Sequence, residues 1–311
     1  MRAVALMEFD GPEGLQVIDR ELPDPAPGAV RIRVRAATVN PADTGFARGV
    51  LRAMLRHEPP HVPGMEAAGV VDAVGEGVDD LAIGDRVMAV VLPLGRNGGA
   101  QSERIVVPRA SVARTPDHLS DAEAATVPMN GLTAIAALDV LNLAPGEWLW
   151  VTGAPGALGG YTVQLAKDRG LRVVADASDA DEQLVYDLGA DLVVSRGADS
   201  ADRVRLAVDG GVAGVVDGAL LNSAVAPAVR PGGTIVAVRP FEGPAPSGIK
   251  VELVMVADYI RDAERIERLR DAAARGVITP RIAELLPFEM ASAAYRAVEA
   301  GGTRGRIVLT F

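Results

Sequence analysis

Residues 148–170 read WLWVTGAPGALGGYTVQLAKDRG, an apolar run, a corner crowded with glycine, and a helical pattern. No other stretch constrains the fold of this chain so tightly. WLWVT has the aromatic and β-branched content of a buried strand. Beyond the corner, Leu158, Tyr161, Leu165 and Ala166 share one helical face, Lys167 and Arg169 fall in the last turn, and Gly170 closes it. Gly153, Gly156 and Gly159 are spaced GxxGxxG, and Ala154-x-Gly156-x-x-Gly159 also reads as an AxGxxG variant. In such a corner a small first residue allows the tight turn. Gly156 then lets a diphosphate approach the backbone, and Gly159 lets helix and strand pack closely. The helix start, with Ala157 and Leu158, offers amide donors to an anion. A glycine triplet by itself is equally a turn. Set between strand and helix at the head of an alternating series, it predicts dinucleotide binding.

The series is there. Short Val-rich runs alternate with helical segments through LRVVAD, DADEQLVYDLG, ADLVVS, GVAGVVDGAL and GGTIVAVR. Continuous apolar runs of this kind are parallel strands covered on both faces, and their alternation with helices implies right-handed βαβ units in a doubly wound sheet. The expected Rossmann domain spans residues 120–245. It opens on SDAE, where Ser120 and Glu123 have capping-box spacing, and Pro128 and Gly131 interrupt the helix before LTAIAALDVL resumes.

At the end of LRVVAD stands Asp176, 20 residues beyond Gly156, the spacing of a carboxylate that accepts the adenosine ribose 2′-OH. The following acids supply no cation, so charge favours NADH. Arg196, after the third strand, and Arg239, after the fifth, keep NADPH open; each reads equally as a solvated loop residue. Ser178, Val238 and Arg239 complete the candidate cofactor-binding residues at the strand ends.

The flanking segments have another texture. AVRIRVRAATVN (29–40) sets Val30, Ile32 and Val34 against Arg31, Arg33 and Arg35, the period of a half-buried strand. Residues 1–119 read as a mostly antiparallel β-domain. Residues 246–311, which end in the strand GRIVLTF, return to it, so this domain is discontinuous. The expected class is α/β, an antiparallel β-domain plus a doubly wound parallel sheet.

Composition then excludes whole classes of function. The net charge of −10 with no basic run argues against nucleic acid or anionic membrane. There is no cysteine, hence no disulfide, thiolate nucleophile or cysteine zinc ligand. The N-terminal MRAVALMEFDGPEG does not read as a signal peptide, and no apolar stretch has the length of a membrane span. A soluble, cytoplasmic protein is expected.

Taken together, these motifs resemble the medium-chain dehydrogenase/reductases, in the zinc-free quinone-oxidoreductase-like branch. VNPADTGFARG (39–49) is similar to the family's asparagine-proline-x-aspartate segment. PGMEAAGVVDAVGEGVDDLAIGDRVMAVV (63–91) resembles its stretch ending in glycine-aspartate-arginine-valine, and GTRGRIVLTF its closing strand, with Arg306 in place of the usual lysine. AATVPMNGLTAIAAL resembles the helix whose threonine, here Thr133, lies near the nicotinamide ribose and phosphates.

The resemblance implies a GroES-like domain, an inserted Rossmann domain, and hydride transfer from NAD(P)H to a quinone or an α,β-unsaturated carbonyl. It also implies a homodimer paired through Rossmann edge strands. Zinc-dependent relatives have glycine-histidine-glutamate where this chain has Gly64-Met65-Glu66, and Met65 is a poor replacement for imidazole. His57, His61 and His118 read as surface-loop residues, so no zinc is expected. Where many relatives place a tyrosine proton donor, this chain has Thr44, Gly45 and Phe46. Asn40 and Asp43 remain as catalytic candidates. Asn40 equally suits a turn before Pro41, and Asp43 a helix cap. Two further readings stay open: an alcohol dehydrogenase or biosynthetic enoyl reductase on the same fold, and a nicotinamide-binding partner protein without turnover.

Overall fold

In the computed structural model, which describes residues 1–311, the chain opens on an antiparallel hairpin, β1 (Arg2–Leu6) with β2 (Leu15–Asp19), and then enters β3 (Ala29–Val39). The alternation in the sequence fixes which face of β3 is inside. Val30, Ile32 and Val34 are buried, while the intervening arginines point the other way. Arg31 on β3 and Arg104 converge on Asp72, at 2.7 and 2.9 Å, closing that outer face with ion pairs.

A short helix, α1 (Pro41–Ala47), follows β3, and the sheet continues through β4 (Glu66–Val74), β5 (Arg86–Val90), β6 (Arg104–Pro108) and β7 (Val112–Arg114). Gly69 on β4 lies directly against β3, where a Cβ would fall 2.1 Å from the Arg33 carbonyl oxygen. Every pairing among β3 to β7 is antiparallel.

Ser120 caps α2 (Asp121–Ala124) as its spacing with Glu123 predicts: the Glu123 amide donates to Ser120 Oγ at 3.2 Å, and the Ser120 amide to Glu123 Oε2 at 2.8 Å. The expected break at Pro128 and Gly131 is not where the sequence puts it. Helix α3 (Pro128–Leu141) begins at the proline, whose missing N–H is not needed in a first turn, and runs straight through Gly131. Burial of Leu132, Ile135, Ala136 and Leu138 outweighs the weak helix propensity of one glycine.

Six strands then build the parallel sheet: β8 (Trp148–Thr152), β9 (Arg172–Ala177), β10 (Leu192–Ser195), β11 (Val212–Asp217), β12 (Val229–Ala237) and β13 (Lys250–Leu253). Their order is β10-β9-β8-β11-β12-β13, the doubly wound arrangement with its reversal between β8 and β11. Helices α4 (Ala157–Asp168), α5 (Glu182–Asp187) and α6 (Ser200–Ala207) make the crossovers from β8 through β11. β11 is buried along its whole length, as a central parallel strand must be.

The chain then forms α7 (Ala263–Ala274), β14 (Ile282–Pro287), α8 (Ala291–Ala300) and β15 (Arg306–Thr310). β15 pairs antiparallel with β3 and parallel with β14, so the final strand does return to the first sheet. Two compact units result, one of residues Met1–Met129, Ile260–Ala274 and Pro280–Phe311, the other of Asn130–Tyr259 and Arg275–Thr279. The boundaries differ from the expected 120 and 245. α2 packs on β3 and β4, and β13 pairs with β12, which carries the second unit past residue 245. No helix is long and apolar enough to cross a membrane.

Candidate active site

β8 ends at Thr152, and the backbone turns at Gly153 in the left-handed region, φ +68°. Gly156 is the N-cap of α4 and, being glycine, brings no side-chain cap of its own. The first-turn amides of α4 carry the positive end of the helix dipole. A Cβ on Gly159 would lie 2.4 Å from the Gly153 carbonyl oxygen and 2.7 Å from Ala154 Cα. Helix and strand therefore touch backbone to backbone, the role the spacing assigns to Gly159. Gly156 is less crowded, its nearest neighbour being the Gly153 oxygen at 3.1 Å. Ala154 is buried and Ala157 and Leu158 open the helix. This cradle, bare of side chains at a helix N-terminus, fits a diphosphate.

Two of the expected partners meet at this corner. Asp176, 1 % exposed near the tip of β9, accepts the Gly153 amide on Oδ1 at 3.0 Å and Arg196 Nε on Oδ2 at 2.8 Å. Arg196 reaches it because β10 lies beside β9 in register, Val194 opposite Asp176. The guanidinium is still 46 % exposed in its side chain. The charge argument that favours NADH at Asp176 is thereby altered: its charge is matched, and a cation stands at its outer edge.

The other candidates are more dispersed. Ser178 donates to Asp181 Oδ2 at 2.7 Å in the turn after β9. Val238 is half-buried and Arg239 exposed, just beyond β12. Thr133 is buried on α3.

Sequence reasoning missed Asp217, at the tip of β11 and opposite Thr152 across the strand reversal. Its Oδ1 accepts Thr152 Oγ1 at 2.7 Å and the Leu221 amide at 3.0 Å, and its Oδ2 the Asn222 amide at 2.7 Å. The Thr152 hydroxyl in turn accepts the Ala219 amide at 2.9 Å. The network holds Leu220 and Asn222 at φ +59° and +54°, a region that side chains other than glycine enter at a cost. The Gly218–Ala219 backbone is thereby set against Gly153, where a Cβ would meet the Ala219 nitrogen at 3.3 Å. An acid ending the apolar run GVAGVVD was the available signal, since ligands of open α/β sheets bind beyond the strands' carboxyl ends.

In the first unit, Asn40 and Asp43 serve the backbone. Asn40 caps α1, and its amide donates to Asp43 Oδ2 at 2.8 Å, completing a capping box. The Gly64 amide reaches Asp43 Oδ1 at 3.2 Å. Asp43 is fully buried, and burial pushes its carboxyl up to about 7 against the opposing pull of the Asn40 amide and the Arg306 charge. Asn40 Nδ2 donates to Thr38 Oγ1 and Glu66 Oε1, both at 3.2 Å.

Glu66 is the hub of this cluster. Its Oε1 accepts Arg306 Nη2 at 3.0 Å and its Oε2 the Met129 amide at 2.8 Å, with Glu66 0 % and Arg306 5 % exposed. A buried acid so fully engaged is charge-matched within the protein. Tyr295, on α8, donates to Gln101 Oε1 at 3.0 Å; burial, with the Asp43 charge, pushes its phenol well above the usual range.

The donor set does not suit zinc. Met65 is buried beside a Glu66 already held by Arg306, there is no thiolate, and no group of three His, Cys, Asp or Glu side chains assembles as a metal site. His61, expected on the surface, is instead buried. Its ring stacks on Phe9 at 5.1 Å and tilts against His57 at 5.0 Å, an apolar use of imidazole that leaves Nδ1 without a partner. Burial is the main cause holding its pKa below the ordinary value.

Residues 26–117 match the alcohol dehydrogenase GroES-like domain family, and residues 188–309 the zinc-binding dehydrogenase family. An alcohol dehydrogenase of Geobacillus stearothermophilus is 30 % identical over 99 % of this chain and 98 % of its own. The crystal structure of an NAD-dependent alcohol dehydrogenase superposes with a TM-score of 0.89 at 30 % identity, covering 100 % of both chains. A mycobacterial quinone oxidoreductase superposes at 0.84 with 28 % identity, again over 100 % of both. With this fold, this glycine corner and these relatives, the chain belongs to the medium-chain dehydrogenase/reductase superfamily and is an NAD(P)H-dependent oxidoreductase.

Proposed function

We propose that the enzyme reduces a quinone, an enone or a similar conjugated electrophile, without zinc and with NADPH as the favoured coenzyme. The observation that carries this reading is the state of Glu66: buried, with its charge matched by Arg306 and its second oxygen accepting the Met129 amide, it is engaged within the protein in a chain that lacks cysteine.

The chain's own groups divide the work. The first-turn amides of α4 hold the diphosphate, with Gly156 and Gly159 keeping side chains out of its way. Asp176 fixes the Gly153 amide and anchors Arg196, whose guanidinium would take a 2′-phosphate. Asp217 and Thr152 hold the Gly218–Ala219 backbone against Gly153. The bound dihydronicotinamide supplies a hydride.

No acid is dedicated to the acceptor. Asn40 and Asp43 are committed to capping α1, and Tyr295 is bonded to Gln101. A conjugated acceptor takes hydride at carbon and its proton from water, whereas an isolated ketone needs a group to polarise its oxygen. Stopped-flow oxidation of NADPH and NADH against quinones and enones tests this reading; no turnover with any acceptor would overturn it. The alcohol dehydrogenase relatives favour a second reading, carbonyl reduction, and product analysis separates C=C from C=O reduction. The proposal includes a homodimer joined through the outer edge of β13, which gel filtration at micromolar concentration checks.

A further inference from the structure

One face of the first unit reverses the sign of the molecule. The chain carries a net charge of −10, yet Arg20, Arg56, Arg96 and His57 line one cavity of about 720 Å³, with Glu58 as its only acid. Three guanidinium groups against one carboxylate leave two positive charges. Several arginines elsewhere in the first unit are matched: Arg31, Arg48, Arg86, Arg104 and Arg109 each meet a carboxylate within 3.2 Å. The cavity's arginines are not. Arg20 donates from Nη1 and Nη2 to the Asn97 and Arg96 carbonyls, at 3.1 and 3.0 Å, and neither Arg56 nor Arg96 is in an ion pair.

The cavity is held in place. The two bonds from Arg20 pin the turn that carries Arg96, and Gly98 enters that turn at φ +73° against Val62. Half-buried and without a counter-ion, Arg20 is held below the ordinary guanidinium range by desolvation. His57 Nδ1 lies 2.9 Å from the Glu58 carbonyl oxygen, which only accepts, so Nδ1 carries the proton. Its Nε2 is buried and without a partner. Three guanidinium groups without ion-pair partners and an unpartnered ring nitrogen form a set that a phosphate ester with a hydroxyl on its organic group completes: the phosphoryl oxygens take the guanidinium donors and the hydroxyl meets Nε2.

We infer that this cavity is a binding site for a phosphate monoester, a dianion matching its two positive charges, and that the volume beyond the phosphate admits the organic group. The inference is independent of the coenzyme reading, because all its residues lie in the first unit and the glycine corner lies in the second.

The two sites can be read separately in one experiment. Inorganic phosphate and glycerol 3-phosphate are titrated into the full chain at constant ionic strength, following the arginine Nε–H and backbone amide resonances by NMR. Saturable shifts of Arg20, Arg56 and Arg96 are expected with both. Arg56→Ala/Arg96→Ala, two exposed side chains whose loss leaves the spectrum dispersed, is expected to weaken binding at least about tenfold, and Arg56→Glu/Arg96→Glu to abolish it. Binding of inorganic phosphate but not the ester would overturn the organic-ligand assignment. Shifts confined to residues 153–159, shifts matched by chloride, or binding unchanged in the double variant would overturn the site itself. Failure of NADPH to bind would leave these arginine shifts intact and count only against the proposed function.

Discussion

Arg196 Nε lies 2.8 Å from Oδ2 of Asp176, whose other oxygen accepts the Gly153 amide at 3.0 Å. One carboxylate therefore ties the glycine corner to a cation at the neighbouring strand end. Arg196→Ala is expected to weaken NADPH at least about tenfold, about 1.4 kcal/mol, while NADH changes by less than about threefold. Asp176→Ala is expected to weaken both coenzymes, because Gly153 loses its acceptor and Arg196 its anchor. Fluorescence titration of the two variants with each coenzyme checks both outcomes.

The closeness of α4 to β8 separates two glycines that look alike in the sequence. Gly159→Ala places a methyl 2.4 Å from the Gly153 oxygen and must push the helix away, at an expected cost of about 1–3 kcal/mol and with loss of coenzyme binding. Gly156→Ala meets that oxygen at 3.1 Å and is expected to fold with nearly native stability. Thermal unfolding ranks the two, and equal losses would contradict the geometry.

Much of this was legible beforehand. Val-rich runs mark parallel strands because a strand covered on both faces has no polar side to show, and WLWVT and GVAGVVD behave accordingly. The corner was legible because three glycines at fixed spacing leave few other uses. Asp176 was found by spacing, but its pairing with Arg196 was not, since that requires knowing that β10 lies beside β9. Asp217 obeys no spacing from the corner and is brought there by the β8–β11 pairing. Glu66 and Arg306 stand 240 residues apart, and only the pairing of both β4 and β15 with β3 brings them within 3.0 Å. His61 was misplaced because prolines and charges around it suggest surface, whereas its ring stacks on Phe9.

Breaking the Glu66–Arg306 pair from either side strands a buried charge. Arg306→Met and Glu66→Gln are each expected to cost about 3–5 kcal/mol, and the double variant less than their sum. Urea unfolding of the four proteins gives the coupling directly. Additive losses would mean that the two side chains act separately.

Asp43 sets a pH dependence whose sign follows from its burial. Its carboxyl is raised to about 7 in the native state, from an ordinary value of about 3.9 in the unfolded chain. Between those values the native state holds a proton that the unfolded state releases, so this contribution is complete below about pH 4 and lost as the pH climbs through about 7. Wild type is therefore expected to lose stability relative to Asp43→Asn between pH 5 and pH 8. Urea unfolding at both values checks this, and a gap that widens in favour of wild type would contradict it.

The central claim is that the coenzyme's diphosphate rests on the start of α4, beyond the end of β8. Both tryptophans of the chain, Trp148 and Trp150, lie on β8. Titration of NADPH with excitation of tryptophan is therefore the most direct measurement. Saturable quenching with sensitised coenzyme emission is expected in the wild type and is expected to vanish in Gly156→Val, where a branched side chain fills the cradle. Unchanged tryptophan emission at millimolar NADPH, or full energy transfer in Gly156→Val, would contradict the account.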